Sequence, residues 1–358
     1  MKHYDFGSST AKRTDNCPAW RVLSADLPRK PMGAAAQFGT EVHEILEHIA
    51  LGTVDIKDID SLTSRGLTER HVEMVRAMWD ATEAVFDQYG VEEFEPEVTG
   101  TAAEDVGGTL DMIAFAKDGS AILLDYKTGA GVQVDVENNS QILFAAWVCR
   151  ENSSMAKELR EVENFVGVII QPGLSGEVQT KTWTFTAKDV DDFAVHHRLA
   201  IEKAREGGEP NTGEHCKFCP AATICPAKTD AVRRALTMSP GQLATLGEQM
   251  ALTEQVLEWV TAVKERAEEQ LQLGAKVPGY KLVDKRAVEK WTDEKALVKA
   301  HPELLTKLAT PAQARKLGFD TDGYTVKESS GTTIAKDTDK RAAVINTAAL
   351  AASINAAR

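Results

Sequence analysis

Residues 107–129 read GGTLDMIAFAKDGSAILLDYKTG. Gly108–Ala116 and Ala121–Tyr126 are two apolar-rich runs joined by the turn tripeptide Lys117-Asp118-Gly119, so they are expected as an antiparallel hairpin. Side chains at i and i+2 of a strand share a face, so Asp125 and Lys127 project together, and the partner strand can bring Asp111 beside them. Ile122-Leu123-Leu124 marks the second strand as central and buried, where charge is unusual without a partner or a metal. Two neighbouring carboxylates repel unless a cation separates them, and Mg²⁺ or Mn²⁺, which take oxygen ligands, suit that place. A lysine beside the ion can orient water or stabilise charge developing on a phosphate. The alternative is a surface hairpin with a solvated aspartate and lysine.

Working outward, Phe94–Thr101 reads as a third strand. Upstream lie a helix over Thr68–Tyr89, with Val72, Val75, Met78 and Val85 at helical spacing, and an earlier helix capped by Thr40. That earlier helix carries an apolar stripe at Val42, Ile45, Leu46 and Ile49. Residues 1–36, broken by Pro18, Pro28, Pro31 and Gly33, are expected to be irregular. Downstream, Ser140–Arg150 reads as a helix, Val166–Ile170 and Thr180–Phe185 as strands around QPGLSGE, and Lys188–Glu206 as a helix ended by Gly207-Gly208. A cysteine-rich segment, EHCKFCPAATICP, follows. Beyond it come a helical arm over Pro240–Leu273 and a mixed region with an alanine-rich end. This order predicts an α/β core over residues 1–228 and a helical or mixed extension over 229–358.

The length, 358 residues, suggests about two domains at ~150 residues each. Hydrophobic content of 43% and charged content of 27% exclude a disordered or fibrous chain. Ile142–Cys149 is the longest apolar run, far short of the ~18 residues of a membrane span. No membrane association is expected. The N-terminus, MKHYDFGSSTAKR, lacks the apolar stretch of a signal peptide, which predicts a cytoplasmic location. Net charge is −13, but unevenly spread: residues 229–358 carry 19 basic and 17 acidic side chains. Overall acidity argues against nonspecific phosphate binding, so a nucleic-acid partner needs a local basic surface.

Five cysteines without an export signal argue against a disulfide framework. Three of them, in Cys216-x-x-Cys219-x5-Cys225, form a tight thiol cluster stiffened by Pro220 and Pro226. A closed Zn²⁺ or [4Fe–4S] site needs a fourth ligand, and His215 and Cys17 both qualify. Cys149, inside a helix, reads as a small buried hydrophobe.

Gln141 opens the helix after the hairpin, and His43 sits on the first helix; each alone is more readily an ordinary helix residue. Taken together, the order His43, Gly108-Thr-Leu-Asp111, Asp125-Tyr-Lys127, Gln141 resembles the RecB-like branch of the PD-(D/E)XK nuclease superfamily. Ala145 stands where that family's last motif carries tyrosine, with Phe144 and Trp147 nearby. The resemblance implies a restriction-endonuclease-like α/β fold, a central mixed sheet flanked by helices. It also implies Mg²⁺ or Mn²⁺ held by His43, Asp111, Asp125 and the Tyr126 carbonyl, with Asp111, Asp125, Lys127 and Gln141 catalytic. Glu97 is left open as a further carboxylate. An iron–sulfur subgroup of this branch places one cysteine before the nuclease core and three after it. That favours a [4Fe–4S] staple on Cys17, Cys216, Cys219 and Cys225, with Zn²⁺ as the alternative.

Cys17-Pro-x-x-Arg-x-Leu-Ser, Pro-Gly-Tyr-Lys281-Leu-Val and Asp337-x-Asp-Lys-Arg341 are similar to a phage-borne family of such nucleases. The implied function is a metal-dependent DNA exonuclease of phage replication or recombination, working in the host cytoplasm, with DNA and a phage recombination or replication protein as partners. The alternative is a noncatalytic nucleic-acid-binding protein that keeps the fold. In the extension, Lys281, Lys285 and Arg286, beside Tyr280 and Trp291, form the best basic segment for DNA contact.

Overall fold

The computed structural model describes residues 4–27, 33–65, 67–129, 133–173, 176–237, 246–291, 299, 310–316, 320–321, 323–329, 331–336 and 339–344. The chain divides into two compact units, Met1–Gln255 and Val256–Arg358.

The first unit is built on a five-stranded mixed sheet: β1 (Glu93–Ala103), β2 (Val106–Phe115), β3 (Ala121–Tyr126), β4 (Asn164–Pro172) and β5 (Val178–Thr186), in that spatial order. Neighbours are antiparallel except β3 and β4, which run parallel. A parallel pair needs a crossover. Here α5 (Ser140–Glu151) and α6 (Ala156–Arg160) supply it. All six residues of β3 are buried, as expected of a central strand covered on both faces.

Two apolar layers cover the sheet. On one side α1 (Ala11–Asn16), α2 (Trp20–Ser24), α5 and α7 (Ala187–Glu206) pack against Ile113, Leu123, Phe165 and Ile169. On the other, α3 (Ala34–Ala50) and α4 (Glu69–Tyr89) pack against Met112, Ala114, Ile122, Leu124 and Val168. α4 ends as its sequence dictates, with Thr68 extended at its start and Gly90 left-handed (φ 63°) at its end. Gly100 lets α5 approach β1: a Cβ there would lie 2.5 Å from the Cys149 nitrogen. In the diagnostic stretch, Gly107 and Gly108 serve packing. A Cβ on Gly108 would lie 2.1 Å from Ser8 Oγ, because the N-terminal segment crosses β2 through a parallel bridge between Phe6 and Val106.

Two expectations are corrected. Residues 1–36 are not irregular throughout, since α1 and α2 form on either side of Pro18 and bury Ala11 and Trp20. α3 starts at Ala34, not after a Thr40 cap. The Ala34-Ala35-Ala36 run propagates the helix from an extended Gly33, and Thr40 Oγ1 instead donates to the Ala36 carbonyl at 3.2 Å. The extension is mixed, one of the two forms expected of it. Beside α8 (Leu246–Gln272) there are two antiparallel ribbons, β6 (Tyr280–Asp284) with β9 (Thr332–Lys336) and β7 (Val288–Trp291) with β8 (Thr325–Glu328). Pro240, Asp337 and the alanine-rich end from 345 onward lie outside the described residues. Among the described residues no helix is long and apolar enough to cross a membrane.

Candidate active site and a four-cysteine cavity

The hairpin positions its carboxylates through register. Met112 pairs with Leu124, so the next step along the ladder sets Asp111 against Asp125. There the ladder gives way to side chains: the Tyr126 N–H donates to Asp111 Oδ2 at 2.7 Å. Asp111 Oδ1 lies 2.7 Å from His43 Nδ1, which α3 brings in from one face of the sheet. From the other face comes Gln141, in the first turn of α5, where Asn139 caps the helix by accepting from the Gln141 and Ile142 amides. Gln141 Nε2 donates to Asp125 Oδ1 at 3.0 Å. Lys127 Nζ lies 2.5 Å from Asp125 Oδ2. That oxygen is buried, and the Lys127 ammonium is its ion-pair partner.

The structure therefore brings together His43, Asp111, Asp125, Tyr126, Lys127 and Gln141, all six candidates of this group. Burial pushes the Asp125 carboxyl above its ordinary range, with Lys127 opposing the shift and Asp111 adding to it. Burial works against the His43 imidazolium, yet the hydrogen bond and charge of Asp111 outweigh it and raise its pKa. Two carboxylates thus share the pocket with the Lys127 ammonium and the His43 imidazole. The Tyr126 phenol points away, to Thr82 Oγ1 at 2.8 Å, and burial pushes it up.

Glu97 does not join them. It falls opposite Asp111 in the β1–β2 register, but its backbone is left-handed (φ 48°) and its side chain is exposed and bonded to Glu47 of α3. Burial and the Glu97 charge together raise the Glu47 carboxyl. Ala145 is fully buried in α5 beside Phe144 and Trp147, whose rings enclose His197. The sequence analysis missed Gln171. It is buried on β4, accepts from the Val134 amide at 3.0 Å and donates to the Gly129 carbonyl at 2.6 Å, anchoring the loop that follows Lys127. Its signal was a polar residue closing the apolar run Val166–Ile170.

A second assembly lies in the layer of α1 and α7. Cys17, Cys216, Cys219 and Cys225 all line one cavity, together with Arg13, Trp20, Asn211, His215 and Lys228. His215 hydrogen-bonds the sulfurs of Cys17 and Cys216, which lifts its pKa to about 10, and its Nε2 lies 2.9 Å from the Asn211 carbonyl. Burial raises the Cys17 and Cys216 thiols, but His215 and backbone donors more than reverse this. Burial of Cys219 dominates and pushes it up. Cys149 lies apart in α5, where burial lifts its thiol to about 12.

The donor sets suit the implied groups: hard carboxylate oxygens on Asp111 and Asp125 for Mg²⁺ or Mn²⁺, and four thiols on one cavity for [4Fe–4S] or zinc. Among the described residues no three His, Cys, Asp or Glu side chains converge on a point as ligands of a single ion would. At the carboxylates the cause is visible, because Asp111 and Asp125 are turned to His43 and Lys127.

The remaining candidates belong to the second unit. Lys281 Nζ donates to the Asp339 carbonyl at 3.0 Å, and Arg341 forks the Asp339 carboxylate with two contacts of 3.0 Å. Lys285 and Arg286 are exposed.

A family model described as "Protein of unknown function (DUF2800)" matches residues 3–342. A solved structure described as a "Putative exonuclease" from Eubacterium rectale aligns over 69% of this chain and 92% of its own, at 12% identity and a TM-score of 0.36. A solved structure of SSO0001 aligns over 63% of this chain and 89% of its own, at 14% identity and a TM-score of 0.29. At these values neither likeness carries an argument about chemistry.

Proposed function

The chain belongs to the DUF2800 family, a membership that names no chemistry, and we propose that it is a divalent-metal-dependent DNA nuclease, an exonuclease of phage replication or recombination. The observation that carries this reading is the meeting of Asp111, Asp125 and Lys127 at one end of the sheet, with the buried Asp125 carboxylate held by Lys127 on one oxygen and by Gln141 on the other. The order of motifs in the sequence, which resembles RecB-like nucleases, gives DNA as the substrate.

In this reading Asp111, Asp125, His43 and the Tyr126 carbonyl hold Mg²⁺ or Mn²⁺. The ion supplies Lewis-acid stabilisation of charge on a phosphodiester. Lys127, released from Asp125, presents its ammonium to the phosphate or to the attacking water. Gln141 fixes the Asp125 rotamer from α5, and Gln171 fixes the loop that follows Lys127. The four cysteines hold a structural [4Fe–4S] cluster, or zinc in its place, tying α1 to the segment after α7. DNA and a phage recombination or replication protein are the partners, in the host cytoplasm.

The test is digestion of end-labelled single- and double-stranded DNA with Mn²⁺, Mg²⁺ or chelator. Metal-dependent loss of label supports a nuclease. DNA retention without cleavage under every metal condition supports the noncatalytic binding protein instead.

A further inference from the structure

Asp125 sits on a rung that runs to the edge of the sheet. It pairs with Ile169 of β4, and Ile169 pairs with Lys181 of β5, so the three side chains project from one face, the face that α5 covers. β5 is an edge strand, where a lysine is ordinarily left in solvent to discourage pairing with another chain. Lys181 is half-buried instead, and its Nζ donates to the Val134 carbonyl at 2.8 Å. Val134 lies in the connection between Lys127 and Gln141, and its amide is taken by Gln171. Both backbone groups of this one residue are thus gripped by side chains of β4 and β5. From Val134 a continuous path of hydrogen bonds leads back to the pocket. The next carbonyl, that of Asp135, accepts from Asn139 Nδ2 at 2.6 Å. Asn139 Oδ1 accepts from the Gln141 amide at 2.9 Å, and Gln141 Nε2 donates to Asp125 Oδ1 at 3.0 Å.

We propose that Lys181 is a positioning residue of the carboxylate pocket. By holding Val134 it fixes the Asn139 cap, and with it the Gln141 amide that orients the Asp125 carboxylate. It acts through these neighbours and not by touching the metal ion or DNA. The consequence for catalysis rests on the nuclease reading; the hold on Gln141 does not. Partners that orient a metal ligand from outside matter by about 10- to 100-fold in affinity or activity. Lys181 also has a plainer role to be separated from this one, that of fastening the connection for stability alone. A double-mutant cycle separates them, because a residue that works through Gln141 has nothing left to position once that amide is gone.

The experiment compares full-length wild type, Lys181→Met, Lys181→Arg, Gln141→Ala and the double variant Gln141→Ala/Lys181→Met. One readout is Mn²⁺-dependent cleavage of end-labelled DNA, with kcat and KM separated. The other needs no metal and no activity: the side-chain amide signal of Gln141 in NMR spectra, assigned as the one lost in Gln141→Ala. Lys181→Met should lower kcat about tenfold, leave KM for DNA within about twofold and shift the Gln141 signal. Lys181→Arg keeps a charged donor for the carbonyl and should recover most of the loss. In the Gln141→Ala background, Lys181→Met should cost less than about twofold further. A Gln141 signal that stays at its wild-type position in Lys181→Met would overturn the proposal. So would an equal loss of kcat with and without Gln141, or a rise in KM alone, which would make Lys181 a DNA contact. If Lys181→Met is not recovered folded, Lys181→Gln, a neutral donor of shorter reach, decides by the same criteria. Wild type without metal-dependent cleavage removes the nuclease reading, and the Gln141 signal then decides the positioning role by itself.

Discussion

The carboxylate pocket and the cysteine cavity both gather acidic side chains beside basic ones, yet they are assembled over different lengths of chain. Asp111, Asp125 and Lys127 come from one hairpin, and the register that buries Ile113 against Leu123 also fixes the aspartates opposite each other. Cys17 and Cys216 are about 200 residues apart and meet because α1 is laced to α7 and the segment beyond it. His197 Nδ1 lies 2.5 Å from Asp15 Oδ1, Lys12 Nζ 2.8 Å from Glu214 Oε2, and Asn211 Nδ2 donates to the Asn16 carbonyl at 3.0 Å. A local site inherits its geometry from strand pairing. A long-range site must be held by packing, and a metal that binds it contributes directly to folding.

The sharpest contrast comes from removing one ligand at each place. Asp125→Ala should abolish metal-dependent DNA cleavage while the fold, followed by circular dichroism, and the metal content of the cysteine cavity remain. DNA binding should persist or strengthen as negative charge is lost. Cleavage at the wild-type rate would move the chemistry elsewhere. Cys17→Ser should do the reverse in kind: loss of the cavity's metal and a lower melting temperature, with Cys149→Ala as the control that keeps the metal. Equal metal content in both variants would detach Cys17 from the cavity's function.

A smaller effect separates holding from helping. Lys127→Ala leaves both aspartates in place, so it should bind Mn²⁺ nearly normally in a titration yet cleave about 10²-fold more slowly, the scale of losing one electrostatic group. A large loss of Mn²⁺ affinity would make Lys127 part of the site's architecture instead.

The smallest effect lies in the second unit, where Lys281 is engaged with the Asp339 carbonyl while Lys285 and Arg286 stand exposed. Replacing Lys285 and Arg286 together should lower the salt slope of DNA binding by up to ~2, and adding Lys281 should change it little further. An unchanged slope would remove this ribbon from the DNA path.

The contrast in range also explains what the sequence disclosed. The three central strands, α4, α7 and the carboxylate–lysine pair were legible because burial, turn residues and i, i+2 spacing act over a few residues. α1 and α2 were not, since Pro18 reads as a breaker until Ala11 and Trp20 are seen to be buried against the core. The convergence of Cys17 with the other cysteines came only through family resemblance, as no spacing rule reaches across about 200 residues. Gln171 showed in the sequence only as a polar residue closing an apolar run, and that it anchors the loop after Lys127 is recognised only from what surrounds it. Glu97, which the sequence leaves open, falls opposite Asp111 in the register, but its backbone is left-handed and its side chain bonds Glu47.

The account stands on a divalent cation bound between Asp111 and Asp125, and anomalous scattering from crystals soaked in Mn²⁺ tests it most directly. The predicted result is a manganese peak bounded by the two carboxylates and the Tyr126 carbonyl, with Lys127 withdrawn from Asp125, and no such peak in Asp125→Asn crystals soaked alike. A soaked wild-type crystal with no peak there, and Lys127 still on Asp125, would contradict it.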